Sequence, residues 1–168
     1  MAKEVTSNIA VQMHKGIAFN YFSLDEKKYV RCWILDNFQE VSYLKRMYKC
    51  IVAALELRPK GTRKITFLHS AQMIQAFREK IDNPRDRPLN NRFLEMLDKF
   101  RKKAVALECE YTPKEKNPGV DILAAFIDNN YWEVKKCLSR KLSLEQFKQL
   151  NKFDQTSFVS GGELQVQI

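Results

Sequence analysis

Asp121 is the residue of this chain best placed to do chemistry. It stands in Asn117-Pro118-Gly119-Val120-Asp121-Ile122-Leu123-Ala124, where a Pro-Gly break gives way to a helical pattern. A carboxylate there can take part in holding a divalent cation, since hard ions such as magnesium prefer oxygen ligands. Cleaving a phosphodiester with two such ions, about 4 Å apart, needs several carboxylates gathered at one point. The other residues with chemistry to offer are His69-Ser70 and two groups of cations, Lys45, Arg46 and Lys49, and Arg101-Lys102-Lys103. A guanidinium or ammonium can hold a phosphate backbone with no ion in between. Each of these has a plainer use. Asp121 at a helix start complements the helix dipole, and Arg101–Lys103 do the same at a helix end. His69 also reads as a strand-end histidine. Lys45, Arg46 and Lys49 fit the solvated face of an amphipathic helix. Tyr131 and Trp132 read first as core or helix-packing aromatics, with base stacking as the alternative.

The bulk of the chain narrows the choice. Its 168 residues suit one domain with its own core. Hydrophobic content of 45% and charged content of 29% argue against disorder over most of the length. The net charge of +9 favours polyanionic partners, nucleic acid before an acidic membrane surface. The four cysteines, Cys32, Cys50, Cys109 and Cys137, are too far apart for a metal knuckle and lie among apolar residues, so they read as buried reduced thiols. That suits a reducing compartment. No run is long and apolar enough for a membrane span, and the first residues lack a signal-peptide core. The expectation is a cytoplasmic protein, or a nuclear one in a eukaryote, with no membrane partner.

The positioning elements follow from periodicity. Val5–Met13, Ile17–Ser23 and Tyr29–Leu35 alternate or are rich in β-formers, and the short turns at His14–Gly16 and Leu24–Lys28 make them an antiparallel meander. Leu44, Met47, Tyr48, Ile51, Val52 and Leu55 then form one face of a helix, capped by Ser42 and ended by Pro59. Lys64–His69 is a fourth strand. Helices follow over Ala71–Lys80 and about Asn91–Lys103, separated by a loop with two prolines. Val105–Tyr111 is a fifth strand, and Val120–Leu138 a long helix. Ser143-Leu-Glu-Gln146 has the form of a capping box for a last short helix. Leu164, Val166 and Ile168 alternate in the manner of a tail strand.

This order, with the Pro-Gly-x-Asp-x-Leu-Ala segment, resembles the ribonuclease H-like family over about residues 5–135. The resemblance implies an α/β fold: a five-stranded mixed sheet flanked by helices on both faces. It implies a domain over 1–140, with a C-terminal helix and tail, 141–168, packed on it or extending from it. It also implies a metal site of four carboxylates, on the first strand, the first helix, the end of the fourth strand and the last helix. Only the last has its counterpart here, Asp121. Val5–Asn20 holds no Asp or Glu; the expected inward positions are Asn8, Ala10 and Gln12. Lys45, Arg46 and Lys49 occupy the helix, and His69 replaces the strand-end Asp. Glu115 stands where a proton-shuttling His is common in the family.

The resulting expectation is a catalytically eroded domain, a pseudoenzyme that binds nucleic acid (RNA, DNA or a hybrid) or serves as an interaction module. Lys45, Arg46, Lys49, Arg101, Lys102 and Lys103 would be its phosphate contacts, with no cofactor. Two rivals stay open: a divergent magnesium-dependent nuclease using Asp121 with His69 and displaced carboxylates such as Asp36 or Glu40, and a module that binds only a protein partner.

Overall fold

The structure, a computed structural model, describes residues 3–35, 43–71, 74, 75, 78, 95, 102, 105–140, 155–159 and 162–168. Strands β1 (Lys3–His14), β2 (Ile17–Leu24) and β3 (Lys27–Ile34) form the meander. Helix α1 (Tyr43–Glu56) leads to β4 (Thr62–His69), and β5 is Ala106–Tyr111. A 3-10 turn at Lys114–Lys116 precedes helix α2 (Pro118–Arg140), and a hairpin of β6 (Gln155–Val159) and β7 (Glu163–Gln167) completes the described elements.

One sheet takes them all, in the order β5-β4-β1-β2-β3-β7-β6. β1, β2 and β3 are antiparallel neighbours, joined by turns too short for a crossover. Lys15 (φ 46°) and Gly16 (φ 80°) are both left-handed in the first turn, the geometry of a two-residue hairpin loop that matches strand twist. β4 runs parallel to β1, and β5 parallel to β4. The expected five-stranded mixed sheet is therefore present, and the fold is ribonuclease H-like.

The sheet is wider than expected by two strands. β7 pairs antiparallel with β3, and β6 with β7. Alternation explains why β7 fits: Leu164 and Val166 are buried beneath α2, while Glu163 and Gln165 face the α1 side. The expected helices at 71–80 and 91–103 fall largely outside the described residues, and the one opening at Ser143 falls wholly outside them; Ile74, Gln75, Arg78, Glu95 and Lys102 are helical.

Two cores lie on the two faces. α1 sends Met47, Cys50, Ile51, Ala54 and Leu55 onto Val5, Ile9, Phe22, Ile65 and Phe67. α2 sends Leu123, Phe126, Ile127, Tyr131 and Val134 onto Ala10, Phe19, Tyr21, Val30 and Cys32. β2 lies between them, and all eight of its residues are buried. The four cysteines are buried and free, and burial pushes the Cys50 thiol up to about 12 and Cys137 up to about 11. No helix among the described residues is long and apolar enough to cross a membrane.

Candidate functional site

The place to test is the end of β4, where the resemblance puts a carboxylate beside the one on β1. His69 ends β4 and is buried; its partner in register on β1 is Ile9, buried in the core. The expected inward positions Asn8, Ala10 and Gln12 belong to the opposite alternation of that strand, and Ala10 lies under α2 instead. His69 Nδ1 is 2.7 Å from the Ile9 carbonyl oxygen. A carbonyl can only accept, so Nδ1 carries the proton and donates. Burial pushes the His69 pKa below the ordinary histidine value, with the hydrogen bond to Ile9 acting weakly the other way.

Asn117, just ahead of α2, closes the same spot. Its side-chain amide donates to the Ile9 carbonyl and to Ser70 Oγ, each at 3.1 Å. Its side-chain oxygen accepts from the Gly119 N–H at 3.0 Å. Asn117 is buried, so these bonds replace water that the amide would otherwise lose. Gly119 lets α2 start this close to the sheet: a Cβ there would sit 2.6 Å from the Tyr21 ring. The Pro-Gly segment that marked a catalytic helix in the sequence thus works as a docking device. The junction of β1, β4 and α2 is filled by a neutral lattice of Ile9, His69, Ser70 and Asn117.

Asp121 is exposed in the first turn of α2. Among the described residues, no three His, Cys, Asp or Glu side chains stand close enough to share a metal ion. The described donor set does not fit magnesium. Asp36 and Glu40 lie outside the described residues, and Glu115 is exposed in the 3-10 turn.

The basic helix needs correction. Arg46 is not on a solvated face; it is 4% exposed. Its guanidinium donates to the carbonyls of Gln12 and Phe19, and its own carbonyl accepts from the Asn20 side chain at 2.9 Å. A buried cation is tolerable only when it is hydrogen-bonded, and strand carbonyls take up the donors at Nη2 here. Lys49 forms an ion pair with Glu163 of β7 and stands over the Trp33 ring, 4.2 Å from its centroid. The tail strand, invisible to the sequence reading as a partner, takes up this lysine. The side chain of Lys45 is outside the described residues, as are Arg101 and Lys103, while Lys102 is exposed.

Of the two aromatics on α2, Tyr131 is buried as expected, but Trp132 is 69% exposed. Its helical neighbours explain the split: position 131 shares the core face with Ile127 and Val134, and position 132 turns away from it. Lys15 and Lys135 went unmarked in the sequence, and Asn117 was read only as part of the Pro-Gly break. Only a signal for tertiary partners would have found them.

The chain is similar to solved ribonuclease H structures. The ribonuclease H1 of the halophilic archaeon Halobacterium salinarum is 12% identical over 76% of this chain and 99% of that one, with a TM-score of 0.43. A ribonuclease H1 solved in complex with an RNA/DNA hybrid is 11% identical over 71% of this chain and 92% of that one, with a TM-score of 0.42. The N-terminal ribonuclease H domain of a Mycobacterium tuberculosis protein, solved as a fusion with maltose-binding protein, is 12% identical over 72% and 95%, with a TM-score of 0.41. No protein-family model and no curated protein matches the chain. These overlaps are loose, and the ribonuclease H-like fold is carried by the strand order and directions of the chain itself.

Proposed function

We propose that this chain is a ribonuclease H-like domain that has exchanged metal-dependent hydrolysis for binding, with nucleic acid as its partner. The observation that carries the loss of hydrolysis is the junction of β1 and β4. Ile9 and a neutral His69 stand side by side there, tied to Asn117, where two-ion chemistry needs a pair of carboxylates. A proton-donating imidazole, an amide and a core isoleucine cannot neutralise divalent ions. The choice of partner is supported by the net charge of +9, which attracts phosphate backbones without selecting a sequence.

Two measurements test this reading. Purified protein with magnesium or manganese is expected to leave an RNA–DNA hybrid uncut, and to bind oligonucleotides at low salt with affinity that falls as salt rises. Metal-dependent cleavage that disappears in Asp121→Asn would establish the nuclease reading instead. An active protein-binding module that ignores oligonucleotides at every salt concentration would remove nucleic acid from the proposal.

A further inference from the structure

Trp132 is more exposed than any other large apolar side chain among the described residues. It does not stand in open water alone. Lys15, from the β1–β2 turn, places its ammonium 5.5 Å from the indole centroid, and Lys135, from the next turn of α2, places its own at 5.2 Å. Lys136 lines the same shallow hollow of about 420 Å³ beside the ring, together with Glu133 and Ser139. Two lysines from two separate elements therefore meet one exposed aromatic ring, with Lys136 beside them and Glu133 the single carboxylate of the hollow. Asp128, exposed one turn earlier on α2, is the next carboxylate along the helix.

The platform is held rigidly from below. Tyr131 is buried, and its ring meets His14 edge-on at 4.9 Å and Trp132 at 5.1 Å. Lys15 sits in a turn whose backbone is fixed by two left-handed residues and by the Leu35 N–H bonded to the Gly16 carbonyl at 2.8 Å. The core thus fixes the two backbone segments that carry the indole and the turn lysine.

We propose that Trp132, with Lys15, Lys135 and Lys136, is a stacking site for an unpaired base of a single-stranded nucleic acid. The ammonium groups of Lys15 and Lys135 lie over the indole in the free chain; when they swing off it to phosphates on either side, the flat ring offers a π-face that every base can stack on. A duplex hides its base faces, so it gains only the lysine contacts. An acidic peptide would likewise use the lysines and leave the ring unused. This proposal rests on the nucleic-acid reading above and names the surface that delivers it.

The test uses the full chain with labelled oligothymidylate and oligouridylate of equal length, a hairpin duplex, and polyglutamate, each titrated at several salt concentrations. Binding of the single strands is expected to exceed that of the duplex and to quench tryptophan fluorescence. Trp132→Ala is expected to weaken single-strand binding about ten-fold with no loss of thermal stability, and Trp132→Phe to retain most of it. Replacing Lys15, Lys135 and Lys136 by Gln is expected to flatten the log–log salt slope by about two. Single-strand binding that survives Trp132→Ala unchanged overturns the stacking site and leaves nucleic-acid binding standing. Equal affinity for the duplex without quenching has the same consequence. Binding of polyglutamate with no oligonucleotide bound at low salt overturns both.

Discussion

Arg46 and Lys49 on α1 are held by the protein's own groups, whereas Lys15 and Lys135, near the far end of α2, lean on an indole that is itself open to solvent. All four are basic residues that composition counts alike. Arg46 points at the ends of β1 and β2, where strand carbonyls can absorb its donors. Lys49 faces β7, which brings Glu163. Lys15 and Lys135 stand instead over the ring of Trp132. A positive charge is available to a partner only where the sheet leaves it unmatched. The first pair is therefore bonded within the fold, and the second pair belongs to the proposed stacking site.

The largest expected effect breaks the α1 side of that comparison. Arg46→Ala removes charged donors from two buried carbonyls and is expected to cost about 3 kcal/mol or more in urea unfolding. A loss within the range of ordinary surface substitutions would return Arg46 to the solvated face on which the sequence placed it.

Next comes the docking of α2. Gly119→Ala drives a methyl group into the buried Tyr21 ring and is expected to cost about 2 kcal/mol, because neither the ring nor the helix start has room to yield. If the variant unfolds at the wild-type midpoint, the close approach is not what positions the helix and its lysines.

A smaller effect reads the neutral lattice through pH. His69 in the folded chain has its pKa below the ordinary value of about 6.5, so as pH falls past that value the unfolded chain binds a proton that the folded chain refuses. Its contribution to stability is complete above that window. It falls as pH drops through it, by at most about 1.4 kcal/mol per pH unit, and levels off below the folded pKa. Unfolding measured from pH 7.5 downwards should therefore show a steeper acid loss in wild type than in His69→Gln. Parallel curves would mean that the imidazole is protonated equally in both states.

The smallest effect sharpens the comparison directly. Lys49→Gln is expected to leave oligonucleotide affinity within about two-fold, since Glu163 already occupies that charge, while Lys135→Gln lowers the salt slope by about 0.7. Equal losses from the two would place both faces in the binding surface.

Much of the fold was legible from one strand and one helix at a time. The alternation of β1–β3, the 3.6-residue stripe of α1 and the short turns are local signals, and they sufficed for the antiparallel meander and the helix after it; the mixed sheet was what the ribonuclease H-like resemblance implied. The alternation of Leu164 and Val166 hinted at a strand but not at its neighbour, because pairing with β3 is a contact across more than 130 residues of chain, as in Arg31 with Gln165. The candidate site was legible by subtraction: the absence of Asp and Glu from Val5–Asn20 was plain. What fills the gap was not, since Asn117 earns its role only through Ile9 and Ser70.

The sequence by itself determined which residues could carry charge and which could turn the chain. It could do so because residue type and local spacing are properties of neighbours along the chain. Tertiary structure alone decided which partner each cation has inside the fold. Burial of Arg46, capture of Lys49 by Glu163 and the meeting of Lys15 with Trp132 each join segments far apart in sequence. A side chain's charge is local, but its desolvation and its partner are set by the packing of the sheet.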